Sequence, residues 1–382
     1  MEPTEVKVAL TTDWMDTYGG GERVLHQLHL MFPEAPIYTA VYDEAKTLPA
    51  LRGADVRTSF IQRIPIVRGS HMAFLPLMPM AFEEFDLSEY DVVITTSSAC
   101  AKGVITRPGT LNICYCHTPC RYIWDLYPEY TRGKRAKPFF APVAHWLRMW
   151  DRVSSDRVDH FVANSREVAG RIRRHYRRDS EVIYPPVDVE LIQPNGRDPE
   201  DFYLVVSRLV EYKRVDLAVR AATRLGRRLV VVGRGPELKR LREMAGPTVE
   251  LRGWVSDEEV AGLYARCRAF LFPGLEDFGI APVEVQAAGR PVIAYGRGGA
   301  AETVIDGVTG VHFHEQSVDA LAEAILRFEA SPLDPAACRR NAEGFSAARF
   351  RERIAATVEE QRAIAGQLAP APPARPALAA LG

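Results

Sequence analysis

The chain has 382 residues, 25% of them charged and 47% hydrophobic, with 27 glycines and 27 prolines. That length accommodates two domains with separate cores, and the composition excludes a disordered, collagen-like or disulfide-scaffold chain. Forty-eight basic residues against 49 acidic ones leave a formal charge of −1, so no overall field draws the chain to nucleic acid.

The opening residues, MEPTEVKVALTT, have no basic stretch leading into an apolar core, so a cytoplasmic location is the expectation. VKVALTT (6–12) reads as a buried parallel strand. TDWMDTYGGGERVLHQL (12–28) carries it into an amphipathic helix over Gly21–Phe32, and Gly19, Gly20 and Gly21 let backbone N–H groups approach a ligand closely. The run is not the G-x-G-x-x-G pattern of dinucleotide sites. Asp13 and Asp16 stand at the strand's end, where an acceptor hydroxyl would arrive; they serve equally well as turn or N-cap carboxylates. Met72–Phe82, an apolar stretch of 11 residues broken by Pro76 and Pro79, is too short to cross a bilayer. With Arg63 and Arg68 before it, it suits a membrane-contacting lip.

DVVITTS (91–97), LNICYC (111–116) and HFVANS (160–165) are further buried strands. In CYCHTPCRYIWD (114–125), Cys114, Cys116, His117 and Cys120 could be read as zinc ligands. A Cys-x-Cys pair on a strand, however, puts both thiols on one face with no second half-site. Six cysteines without paired spacing fit free thiols in a reducing compartment. RGKRAKPFFAPVAHWLRMWDR (132–152) mixes six basic residues with Phe139, Phe140, Trp146 and Trp150. It suits an anionic membrane surface; core packing of the aromatics with ordinary solvated charges explains it as well.

The segment 184–201, with four prolines, one glycine, five acidic residues and no apolar period, is the best domain boundary. Beyond it FYLVVS (202–207), RLVVVG (228–233), VELRGW (249–254), AFLFP (269–273) and PVIAY (291–295) alternate with helices over Arg214–Leu225, Pro236–Met244 and Glu258–Cys267. Two such strand–helix series predict two doubly wound α/β domains with ligands at the carboxyl ends of their strands. Arg208 and Lys213, between a strand and a helix, suit a diphosphate, although a solvated basic pair is the commoner meaning. In FPGLEDFGIAPVEVQAAGRPVIAY (272–295), Pro282 is well placed in a first helical turn, and the Asp277–Ala281 turn would aim free N–H groups at an anion or hydroxyl. The chain has no Asp-x-Asp to hold a metal. FSAARFRERIAATVEEQ (345–361) predicts a helix with Phe350, Ile354 and Val358 on one face. The Ala/Pro-rich residues after Gly366 are expected to be unfolded.

The string formed by Glu276, Phe278, Gly279, Glu284, Ala287, Gly289, Pro291, Val292, Ile293 and Ala294 resembles the signature of the family 4 retaining nucleotide-sugar glycosyltransferases. SRLVEYKR (207–214), GRGPE (233–237), RGWVSDEEV (252–260) and GGAAETVIDGVTGVHF (298–313) extend the resemblance over nearly all of the second half. It implies the GT-B fold, two Rossmann-like domains facing across a cleft. Their expected bounds are 1–185 for an N-terminal acceptor domain and 186–344 for a C-terminal nucleotide-sugar donor domain. A helix over 345–364 would cross back to the first domain, with a disordered tail at 365–382.

The same resemblance implies roles. Arg208 and Lys213 would neutralise the donor phosphates, Glu276 would hold the sugar's hydroxyls, and His117 would sit beside the hexose. Gly20, Gly21, Gly233, Phe278, Gly279, Ile280 and Ala281 would border the donor, with Glu284 on the ribose. Val255 and Asp257 would meet the base, although Ser256 and Glu259 also form a capping box that accounts for Asp257. Read from its own position in G-G-A-A-E after a strand, Glu302 is expected to bind only local backbone N–H groups. The implied reaction is retaining transfer of a hexose to a glycan or lipid-linked acceptor, without metal or other cofactor and without nucleic acid. The composition of 132–152, not the resemblance, adds peripheral contact with the anionic inner face of a membrane as an expectation. H-T-P followed by R-Y-x-W-D points to GDP-mannose as donor. A UDP-sugar-dependent transferase and a sugar-nucleotide epimerase of the same fold are the alternatives.

Overall fold

The computed structural model describes residues 6–17, 19–64, 71–131 and 137–368. Two entirely parallel sheets organise the chain. The first holds β1 (Val8–Thr12), β2 (Ile37–Thr39), β3 (Val56–Thr58), β4 (Val92–Ser97), β5 (Leu111–Cys116), β6 (His160–Ala163) and β7 (Glu181–Val182), in the order β3-β2-β1-β4-β5-β6-β7. The second holds β8 (Tyr203–Val206), β9 (Leu229–Val232), β10 (Val249–Gly253), β11 (Ala269–Phe272), β12 (Val292–Tyr295) and β13 (Gly310–Phe313), in the order β10-β9-β8-β11-β12-β13. Each order reverses beside its first strand, at β1/β4 and at β8/β11, which are the switch points where crevices open in doubly wound folds.

The helices of the first half are α1 (Gly20–Met31), α2 (Met78–Glu83), α3 (Tyr127–Thr131), α4 (Lys137–Ser154) and α5 (Arg166–Tyr176). Those of the second are α6 (Val215–Leu225), α7 (Leu238–Met244), α8 (Asp257–Arg266), α9 (Ile280–Ala287), α10 (Ala300–Thr303), α11 (Val318–Ala330) and α12 (Pro335–Glu343), followed by α13 (Ala347–Leu368). Because helices cover both sheet faces, the central strands are buried on both sides, and successive residues enter opposite cores. The polar residues near the ends of β1 and β4 pair with one another, Thr11 with Thr95 at 2.6 Å and Thr12 with Thr96 at 3.0 Å. Leu204 and Val230 pack with Tyr264 on one side, whereas Val205 and Val231 pack with Leu217 and Ile325 on the other.

The strands β2, β3 and β7, of two or three residues, are too short for an apolar run to stand out, and in the four residues of β13 (GVHF) glycine and histidine interrupt it; the sequence reading passes over all four. Helix α13 lays Phe350, Ile354 and Val358 on the first sheet's core beside Leu10 and Tyr115, and Arg353 pairs with Glu181 at 2.6 Å. It continues to Leu368, past the expected helix end at 364 and into the stretch expected to be unfolded, because Gly366 alone does not stop it and the first proline is Pro370. Residues 369–382 lie outside the described chain. The two passages between the halves run side by side. Val187 N–H donates to the Phe345 carbonyl at 3.0 Å, and Tyr184, Phe278 and Phe345 cluster there with ring centroids 5.1–5.7 Å apart.

The lip reading of Met72–Phe82 does not survive: Leu75, Met78, Ala81 and Phe82 are buried in the first core, and over the described side chains 74–82 only Met80 is prominently exposed. Arg68 and residues 132–136 lie outside the described chain, as does the side chain of Phe139. Of the other aromatics in that basic segment, Phe140 stacks on Tyr127 and Trp150 bonds Glu83, while Trp146 is exposed. Among the described residues no helix is long and apolar enough to cross a membrane.

Candidate active site

A cleft of about 620 Å³ lies between the carboxyl ends of the two sheets. From the first half it is lined by the turn after β1 (Trp14, Thr17 and Gly19–Glu22), by Ser98 after β4, by His117, Thr118, Arg121 and Tyr122 after β5 and by Asn164 after β6. From the second come Ser207, Arg208, Tyr212 and Lys213 after β8, and Glu276–Ala281 after β11. The predicted Gly20, Gly21, His117, Arg208, Lys213, Glu276, Phe278, Gly279, Ile280 and Ala281 therefore meet in one place.

Local geometry explains the residue types. A Cβ on Gly20 would stand 2.7 Å from Ile280 Cδ1, so the glycine lets the first domain's loop approach the start of α9 with the Ile280 side chain undisturbed. A Cβ on Gly299 would stand 2.1 Å from the Phe278 carbonyl oxygen. Its absence lets Gly299 N–H bond the Glu276 carbonyl at 2.9 Å and brace that loop from below. Gly279 caps α9 at φ +87°, and the first residues of the helix, Ile280 and Ala281, line the cleft. Phe278 borders the cleft, but its ring belongs to the aromatic cluster at the crossing between the halves.

Lys213 Nζ pairs with the Glu276 carboxylate, so the predicted phosphate cation and the predicted sugar carboxylate neutralise one another. Arg208 is exposed to the cleft and donates to the Tyr212 hydroxyl at 3.2 Å; among the described residues no carboxylate pairs with it. His117 packs its imidazole against Gly21 and edge-on to Tyr115, and its carbonyl accepts from Asn164 Nδ2 at 2.9 Å. Burial pushes its pKa down to about 4, which keeps the ring neutral at physiological pH. The thiols of Cys114, Cys116 and Cys120 are free and buried in the core, where desolvation raises their pKa. Among the described residues no three acidic, histidine or cysteine side chains converge as metal ligands.

Several expected residues sit elsewhere. Asp13 is not an acceptor-side group. Its carboxylate accepts the backbone N–H groups of Ser98 (2.5 Å), Ala99 (3.0 Å), Cys100 (2.8 Å) and Ala101 (2.7 Å), and so fixes the turn after β4. Asp16 is buried and does not line the cleft; Thr17 and Glu22 do. Gly233 does not line it either. At φ +145° it packs onto the Ser207 carbonyl, where a Cβ would come within 1.8 Å, and it supports the strand end that carries Arg208. Val255 and Asp257 lie away from the cleft at the start of α8, where Ser256 caps the Glu259 N–H at 3.2 Å. Beside them Trp254 is 65% exposed, with Arg234 over its ring at 5.6 Å. Glu302 reaches beyond its own neighbourhood: its carboxylate accepts from the N–H groups of Arg166 and Glu167, at the start of α5 in the other half.

That contact belongs to a set of cross-cleft ion pairs and hydrogen bonds the sequence reading misses. Asp277 takes Arg121 and Arg171, the latter at 2.5 Å, and Glu284 takes Arg23 at 2.6 Å. Glu284 therefore sits one turn behind the lining residues of α9, its carboxylate held from the opposite domain. These partners are separated by 106 to 261 positions, and no local pattern could have linked them.

The arrangement matches known proteins. The profile of Glycosyltransferase Family 4 matches residues 18–191, and that of glycosyl transferases group 1 matches residues 189–345. A GDP-mannose-dependent alpha-(1-6)-phosphatidylinositol monomannoside mannosyltransferase of Mycolicibacterium smegmatis is 36% identical over 187 residues, covering 41% of this chain and 49% of that protein. A D-inositol 3-phosphate glycosyltransferase of Mycolicibacterium paratuberculosis is 29% identical over 221 residues, covering 51% and 50%. The chain thus spans about half the length of these curated relatives. Among solved structures, Anabaena Alr3699/HepE in complex with UDP superposes with a TM-score of 0.70 at 18% identity, over 93% of this chain and all of that one. Sucrose-phosphate synthase from Thermosynechococcus elongatus does so with 0.62 at 20% identity, over 95% and 98%. With two adjoining profiles that together run from residue 18 to 345 and two Rossmann-like sheets facing a shared cleft, the chain belongs to the family 4 glycosyltransferases of GT-B fold.

Proposed function

We propose that the protein transfers a hexose from a nucleoside diphosphate sugar, with GDP-mannose as the donor, to a hydroxyl of a glycan or lipid-linked acceptor, retaining anomeric configuration. The observation that carries this reading is the convergence of Arg208, Lys213 and the first turn of α9 on one wall of the cleft, opposite the glycine loop and His117. The donor's diphosphate would take Lys213 and Arg208, which releases Glu276 to accept from the hexose hydroxyls. As the bond from the anomeric carbon to the phosphate oxygen breaks, the sugar gains oxocarbenium character and the leaving diphosphate gains charge. Those two cations and the N–H groups of α9 stabilise that charge, and no metal is needed for it. The acceptor oxygen attacks from the face the phosphate leaves, and its proton passes to the departing phosphate oxygen. Neutral His117 borders the hexose as a hydrogen-bonding group.

GDP-mannose is favoured over UDP-hexoses by the H-T-P and R-Y-x-W-D motif and by the mannosyltransferase among the relatives, whereas the structural neighbour binds UDP. A panel of GDP, UDP, ADP and dTDP in thermal unfolding tests the choice. At one hundred times its dissociation constant a ligand adds about 2.7 kcal/mol, so GDP should raise the melting temperature clearly. A shift with UDP and none with GDP would reverse the donor assignment. A lipid-linked acceptor and a site of action at the inner membrane face draw support from α4. Trp146, Met149 and Val153 form an exposed row on it, and its Arg148 lies over Tyr127, in the segment that follows the cleft-lining Arg121 and Tyr122.

A further inference from the structure

We infer that Arg23 is a positioning residue for transfer: from α1 it grips Glu284 of the other domain and thereby seats the glycine loop over the donor. This rests on the reading of Glu284 as the ribose carboxylate, which nothing in the geometry of Arg23 itself requires.

Two contacts run in parallel between the first turns of α1 and α9. Gly20 touches Ile280, and three residues on, Arg23 Nη1 donates to Glu284 Oε1 at 2.6 Å, four residues beyond Ile280. One turn of each helix therefore faces one turn of the other. The Glu284 side chain is only 12% exposed, and a carboxylate so enclosed needs partners. Buried Tyr264 supplies one from its own domain, its hydroxyl donating to Oε2 at 3.0 Å, and Arg23 supplies the charged one from across the cleft. A carboxylate offers about four lone-pair sites. Arg23 and Tyr264 take one on each oxygen and leave one on each, the number a vicinal diol needs, so a ribose can bind without evicting Arg23. The ion pair then persists in the donor complex and holds Gly19–Gly21 against the diphosphate. The Asp277 pairs with Arg121 and Arg171, together with the Glu302 contact on α5, join the domains independently. Loss of Arg23 therefore loosens the loop rather than the whole cleft.

The test compares Arg23→Met, which keeps the aliphatic stem, with Arg23→Lys, which keeps the charge. Met and Lys have nearly equal helix propensity, so a merely structural role for this position makes the two variants alike. The probes are GDP with GDP-mannose, or UDP with UDP-glucose, according to which nucleotide binds. Arg23→Met should bind the nucleotide in calorimetry within about threefold of wild type. It should release it from the sugar donor at saturation about ten to one hundred times more slowly, the scale for a small misplacement of reacting groups. Arg23→Lys should recover most of that rate. Wild-type turnover by Arg23→Met, equal impairment of both variants, or a loss of nucleotide affinity as complete as that of Glu284→Ala would each overturn the inference. Unchanged nucleotide affinity in Glu284→Ala would instead remove the ribose reading, and the comparison of Met with Lys would still decide Arg23.

Discussion

Alanine in place of Arg208 or Lys213 should lower turnover by about two to three orders of magnitude, the scale for losing one preorganised donor aimed at developing charge. Both cations stand at the end of β8 on the cleft wall, and neither anchors the core. The backbone that presents them is held without their side chains. Lys213 N–H bonds the Val210 carbonyl at 3.1 Å, and Arg214 closes the turn in the left-handed region at φ +51°. The fold should therefore persist, and nucleoside diphosphate release in steady state should fall in both variants without a drop in melting temperature. Lys213→Ala carries a second consequence: it leaves the Glu276 carboxylate without its counter-ion before the donor binds. Near-normal turnover by either variant would remove that residue from the phosphate site.

A different kind of loss is expected at Asp151. Lys102 and Asp151 form an ion pair at 2.5 Å with side chains 1% and 2% exposed. Asp151 also accepts from Trp124 Nε1 at 2.7 Å and from the Tyr176 hydroxyl at 3.2 Å, and the Lys102 ammonium lies over the rings of Trp150 and Tyr176. Burial alone would push the lysine pKa down, but the adjacent carboxylate outweighs it and the ammonium is retained. Asp151→Ala leaves that charge buried without its counter-ion and should cost about 3–5 kcal/mol, the usual penalty for breaking such a pair. Lys102→Met with Asp151→Leu should recover part of it, since paired replacement by apolar groups avoids the stranded charge. Chemical denaturation of the three proteins measures this; a loss below about 1 kcal/mol in Asp151→Ala, the level of an exposed pair, would contradict the buried-network account.

Much of this molecule is legible in its residues, for reasons that also explain the failures. Long central strands such as 92–97 and 111–116 are buried on both faces and are built mainly from β-branched and apolar residues, so their runs stand out. Three-residue strands at the margin, 37–39 and 56–58, leave no such trace. Arg208, Lys213, Glu276 and Gly279 are found because each follows a recognisable strand, and doubly wound sheets place that end at the ligand. Asp13 shares that location and serves instead to cap the turn at 98–101, a use of a carboxylate that looks identical in sequence. The cross-cleft partners of Asp277, Glu284 and Glu302 depend on how the two halves meet, which no local pattern encodes.

Release of nucleoside diphosphate from GDP-mannose, UDP-glucose and their ADP and dTDP counterparts, each in excess EDTA, addresses the central proposal most directly. A transferase of this design should release nucleotide slowly from one donor through water. It should release it faster when a glycan or lipid-linked acceptor is added, unaffected by chelation, and far more slowly as Lys213→Ala. No release above the protein-free rate from any donor, or release that Lys213→Ala leaves unchanged, would contradict the assignment of this cleft to sugar transfer.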